Sequence, residues 1–154
     1  MKRSFIALIM TAFVLSSTAH AAITDAEDSA IHLFGKLESN LWESAAAVFF
    51  HIADLAREDA KIALNDYRED IDTIDRVLIK LQALQLTDTE RQGLLVIADS
   101  FRNIQILGDE LINADISAEL SAPVNNSKMH NYWMAIESLD NLIDEEILLL
   151  AGDH

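Results

Sequence analysis

The sequence predicts an all-α fold, an up-down-up-down four-helix bundle behind a signal peptide. Three observations carry that expectation. Chain breakers are scarce, with one proline and four glycines in 154 residues. Beyond the first 21 residues, apolar side chains recur at helical spacing almost throughout. Helix start and stop signals then divide this stretch into four segments.

The leader comes first. Lys2 and Arg3 are followed by an apolar run from Phe5 to Leu15 and by Ala19-His20-Ala21, an A-x-A cleavage pattern. The run is shorter than the roughly 20 apolar residues that span a bilayer. Residues 1–21 therefore read as a cleaved signal peptide and 22–154 as one mature domain, which implies a periplasmic protein.

Composition narrows the function classes. With no cysteine, disulfides and thiolate metal sites are both excluded. The chain is 51% hydrophobic, enough to build a core without cross-links. After Ala21 there are nine basic and 26 acidic residues, a net charge of −17 with histidine neutral. Such a surface repels nucleic acid and anionic headgroups, while cations and basic partners are compatible with it. Catalytic signatures are missing too: there is no G-x-S-x-G, no H-E-x-x-H and no glycine-rich phosphate loop. The expectation is a non-enzymatic protein.

Each helix has its own signals. In the first, Phe34, Leu41, Val48, Leu55 and Ile62 repeat every seven residues, and Thr24 with Glu27 forms a capping box. The phase breaks at Asn65-Asp66, so a turn is expected there and the first helix should span about 24–64. The second seam is Tyr67, Ile71, Ile74, Leu78 and Leu81, ending near Leu86. Thr87 and Glu90 form another capping box, opening a third helix that runs to about Ala114. Its seam is Leu94, Ile97, Phe101, Ile104 and Leu111, with Gly108 set for close helix approach or a small cavity. A connection over 115–126 precedes a fourth helix from about Ser127 to Leu150, whose seam is Met129, Tyr132, Ile136, Leu139, Ile143 and Leu150.

At 1.5 Å per residue the first helix would be roughly 60 Å long and its partners about 30 to 40 Å. It should then overhang the bundle, or bend near Gly35. An overhang would leave Ile31 and Phe34 bare, and a homodimer would cover them.

The order of a long first helix, an "LND" turn and "YREDIDTIDRVLIKLQALQLTDTERQGLLVIADSFRNI" resembles the four-helix-bundle sensory domain of methyl-accepting chemotaxis receptors and related bacterial transducers. The likeness covers roughly residues 30 to 150. It implies a non-enzymatic domain that binds a small ligand or a periplasmic partner, often at a dimer interface. Family receptors continue into a second transmembrane helix and a cytoplasmic signalling region, whereas this sequence runs to His154 with neither. The expectation is thus a stand-alone bundle that serves a membrane-bound transducer. Family members that bind amino acids use basic side chains. The fourth helix here has no arginine and only Lys128, so the ligand class does not carry over.

Two sets of candidate site residues follow. Glu38 and Asp59 fall where the first-helix heptad expects apolar residues. A buried carboxylate needs a partner. Exposure in the overhang accounts for Glu38, and pairing with Arg68 across the turn accounts for Asp59. Otherwise the two acids would polarise a ligand cleft beside Trp42. The second set lies in "NSKMHNYWMAI", where Met129, His130 and Met134 suggest a soft metal site. Helical phase turns Met129 and Tyr132 inward, sets Trp133 at the border and turns His130 and Met134 outward. The leading expectation is therefore no cofactor. The alternative is a small haem- or copper-binding bundle for electron transfer or metal carriage, with His130 and Met134 as ligands.

Overall fold

The computed structural model describes residues 30–53, 59–113 and 123–152. They form four helices: α1 over 30–53, α2 (Asp59–Gln82), α3 (Asp88–Asn113) and α4 (Pro123–Gly152). The expected four-helix bundle is what these residues build. The signal peptide and the Thr24 capping box lie outside them.

Side-chain contacts fix the arrangement. On α1 and α4, Trp42 meets Asp140 while Phe49 meets Tyr132, so the two helices run antiparallel. Along α2 and α3, Tyr67 reaches Asp109, and Asp75 and Ile79 share a pocket with Gln105 and Ala98. Glu43 and Phe50 of α1 share a groove with Asp70 and Asp59 of α2. Between α3 and α4, Gly93 lies against Glu146 and Gly108 against Tyr132. Each helix is therefore antiparallel to its sequence neighbour, and α4 closes onto α1.

The core is continuous through all four helices. Phe34, Leu41, Val48, Ile74, Leu81, Phe101, Ile104 and Ile136 are all buried in it. The expected seams of the third and fourth helices hold at every position from Leu94 to Leu111 and from Tyr132 to Leu150. Gly108 belongs to the third seam because of its neighbours. A Cβ there would lie 2.9 Å from Tyr67 Oη and 3.4 Å from a carbon of the Tyr132 ring. The absent side chain makes room for two tyrosines, not for a cavity.

The turn expected at Asn65-Asp66 does not exist, because α2 runs unbroken through both residues. Its buried stripe begins at Ala60 and Ala63 and continues to Tyr67, whereas Ile62 is 55% exposed. The heptad match at Ile62 was coincidental, and the small alanines carried the true phase. The described part of α1 ends at residue 53 and α2 begins at Asp59, and Leu55 lies outside the described residues. The described part of α1 is about 36 Å long at 1.5 Å per residue, comparable with its partners. The expected overhang is consequently absent from the described residues. Phe34 is 1% exposed and Ile31 packs on the core, so neither needs a second chain to cover it. Helix α1 passes through Gly35 as helix.

Other boundaries moved less. Helix α2 stops at Gln82, short of Leu86, where the amide of Leu84 bonds the Leu81 carbonyl in a tightened last turn. The Thr87 capping box forms as expected: the Glu90 amide donates to Thr87 Oγ1 at 3.3 Å, and the Glu90 carboxylate accepts from the Thr87 amide. Helix α4 starts at Pro123, four residues before Ser127. Proline fits a first helical turn, where its missing N–H is not needed.

Candidate functional site

One feature is a groove of about 680 Å³ between α1 and α2. Among the described residues five carboxylates line it: Glu43 from α1, and Asp59, Asp66, Glu69 and Asp70 from α2. Its floor is apolar, made by Ala46, Ala47 and Ala63 with Phe50 and Ile62 on the flanks. Among the described residues none in its lining is basic. The acids converge because Asp59, Asp66 and Asp70 share one helical face at spacings of seven and four, which lies toward Glu43 across the gap. Burial, and then repulsion by Glu43, Asp66 and Glu69, pushes the Asp70 carboxyl from 3.8 to about 6. A net positive ligand would relieve that repulsion.

A second feature lies on the other side of α1. Trp42, Ala45, Phe49 and Phe50 of α1 and Trp133 of α4 border a trough of about 410 Å³. The rings brace one another, with Trp42 to Trp133 at 5.5 Å and Phe49 to Trp133 at 5.9 Å between centroids. Both indole N–H groups are satisfied within the chain. Trp42 donates to Asp140 at 2.8 Å and Trp133 to Glu137 at 2.7 Å. Ala46 and Phe50 line both the trough and the acidic groove.

The structure separates the three expected site residues. Asp59 lies in the acidic groove. It cannot pair with Arg68, since both stand on α2 nine residues apart, about 180° around the helix. Trp42 lines the trough. Glu38 lies one turn before Trp42 and is half-buried against α4, not exposed in an overhang. Its carboxyl is pushed up by burial and then by Asp140 and Asp144. These acids do not form one cleft.

The soft-ligand residues stand as helical phase placed them. Tyr132 is buried, Met129 half-buried, and His130 and Met134 exposed. His51 is half-buried and donates from Nδ1 to the Ala60 carbonyl at 2.8 Å, tying the end of α1 to the start of α2. Among the described residues no three His, Asp or Glu side chains are grouped to hold a metal ion.

One buried acid was missed by sequence reading. Glu146 is 8% exposed on α4, and its Oε2 has no hydrogen-bond partner among the described residues. It lies over Gly93 of α3, where a Cβ would collide with Oε1. Burial, then Glu90 and Glu145, push its carboxyl up. The signal was available: Glu146 stands between Ile143 and Leu150 on the seam, opposite a glycine.

No family model, curated protein or solved structure matches the chain. Among the described residues, no helix is long and apolar enough to cross a membrane.

Proposed function

We propose that this is an exported, non-enzymatic helical bundle that works by binding, and that the α1–α2 groove takes a cationic ligand. The observation that carries the reading is the concentration of five carboxylates around an apolar floor, with no basic side chain among the described residues of the lining. Acidic charge is also crowded at Glu38 and at Glu146, each beside two further carboxylates. In the groove it is gathered in a concave site large enough for a small molecule. Export rests on the leader pattern of residues 1–21. The resemblance to chemoreceptor sensory domains supports a sensor-like role, in which the loaded bundle is presented to a membrane-bound transducer.

Calorimetric titration with spermine, a linear polycation, tests the binding. Wild-type protein should bind it with an affinity that falls steeply as salt rises. An Asp66→Asn, Glu69→Gln double variant should bind at least about tenfold more weakly, about 1.4 kcal/mol. Equal binding by both proteins would remove the groove from the account. Periplasmic protein beginning at Ala22 would establish export.

A further inference from the structure

Residues 45 to 53 of α1 read AAAVFFHIA, apolar around the whole helix except for His51. A helix that is apolar on all sides is ordinarily covered on all sides. The bundle covers only part of this one. Ala45, Ala47, Val48 and Ile52 are buried, while Ala46 and Ala53 are exposed and Phe50 is 69% exposed. The uncovered side is the aromatic trough, and its edge at Phe50 is also the edge of the acidic groove.

We infer that trough and groove together form one docking surface for a basic amphipathic helix of a partner protein. This rests on the reading of the groove as a cation site and extends it to the partner's chemistry. Apolar residues at i, i+3 or i+4, and i+7 of the partner would enter the trough between α1 and α4. Small side chains at Ala45, Ala46 and Ala53 let a helix come close. Both tryptophan rings are held by their hydrogen bonds and turn apolar surface to the trough, so little freedom is lost on docking. Lysines or arginines on the partner's polar side would cross Phe50 to meet Glu43, Asp66, Glu69 and Asp70.

Charge selects this occupant over two others. A second copy of a chain with net charge −15 would bring acids against the acidic rim. An anionic membrane surface would be repelled in the same way.

The test uses the full mature chain and three designed peptides of about 18 residues, about 27 Å long as helices. One has leucines on one face and lysines on the other, the second has the same composition scrambled, and the third replaces lysine with glutamate. Binding is read by calorimetry and by the fluorescence of Trp42 and Trp133. The amphipathic lysine peptide should bind at least about tenfold more tightly than the scrambled one and shift the emission to the blue. Phe50→Ser, at an exposed position shared by trough and groove, should abolish that preference; Ala53→Gln, which crowds the trough at a residue outside the groove lining, should abolish it and leave spermine binding intact. Equal binding of the two lysine peptides, or a preference that survives Phe50→Ser, would overturn the docking surface and leave the cation groove standing. Failure of both peptides and spermine would overturn both readings. A dimer that Phe50→Ser dissociates would assign the trough to a second copy, and binding of phosphatidylcholine vesicles lost in the same variant would assign it to lipid. Either result sinks the proposal.

Discussion

Replacing Glu146 by glutamine should stabilise this protein at neutral pH. Glu146 is 8% exposed, one carboxylate oxygen has no partner among the described residues, and the charges that act on it, Glu90 and Glu145, are also acids. An unsatisfied buried charged group costs about 1–3 kcal/mol or more. Glu146 stands near the end of the bundle, where solvent screens part of this, so the gain should be about 1 kcal/mol. For a domain of this size that is a rise of about 3–5 °C in Tm. The gain must depend on pH. Because the carboxyl is raised above its ordinary 4.5, the folded protein binds this proton more tightly than the unfolded chain. Stability therefore climbs as pH falls through the raised value, and Glu146 no longer weakens the fold below about 4.5. The variant's advantage should be full at pH 7.5 and vanish by about pH 4.5, read from paired thermal melts. Gly93→Ala should act on the same charge. Its Cβ would fall 1.5 Å from Glu146 Oε1, which forces the flexible carboxylate toward water, and alanine adds up to about 1 kcal/mol of helix preference. The double variant should then gain less than the sum of the two. A neutral or destabilising Glu146→Gln at pH 7.5, or an advantage that does not change with pH, would refute the unpaired-charge argument.

Asp70 should titrate near 6 by carboxyl NMR, and saturating spermine should pull that midpoint down; a midpoint near 4 would mean that the groove acids do not repel. Its rise from 3.8 to about 6 corresponds to about 3 kcal/mol, which solvent screening at a half-exposed carboxyl reduces to about 1. Asp70→Asn should therefore stabilise by about 1 kcal/mol or less above pH 6, with the gain lost toward pH 4. Thr87→Ala removes the capping hydroxyl of α3 and should cost about 1 kcal/mol in chemical denaturation, with faster hydrogen exchange at the Glu90 amide; unchanged exchange would count against the cap. The two core tyrosines should respond differently to loss of the hydroxyl. Tyr67→Phe loses a bond to Asp109 and should cost about 1 kcal/mol, while Tyr132→Phe removes a hydroxyl with no partner among the described residues and should cost nothing. Equal costs would show that Tyr132 has a partner after all.

Period and caps made most of the bundle legible in the sequence. The third and fourth seams and the Thr87 box could be read directly, because large apolar residues mark every turn of the seams except those at Gly108 and Glu146. The α1–α2 boundary was misread for a physical reason. Ala60 and Ala63 pack as tightly as larger residues but weigh little in a hydrophobic pattern, while Ile62 extended the heptad from an exposed position. The candidate site was less legible. Glu43, Asp66, Glu69 and Asp70 look like ordinary surface charge along the chain. Only the packing of α1 against α2 brings them together around an apolar floor. Glu38 and Asp59 stood out for breaking a heptad, and they proved to lie in different places. A better signal was the all-round apolarity of residues 45–53, a local conflict with an exposed bundle helix.

That stretch also bears on oligomerisation. The sequence argument for a dimer rested on Ile31 and Phe34, at one end of α1, and the bundle covers both. The uncovered apolar surface lies near the other end, around Phe50, with carboxylates along one border. An apolar trough open to water ordinarily invites self-association. A strong negative field beside it opposes approach by any similarly charged surface, including another copy, and favours a basic one. The acidity of the chain and the exposure of Phe50 are then two parts of one selectivity. On the docking proposal the field would exclude like-charged partners, and the trough would distinguish an amphipathic cation from a simple one.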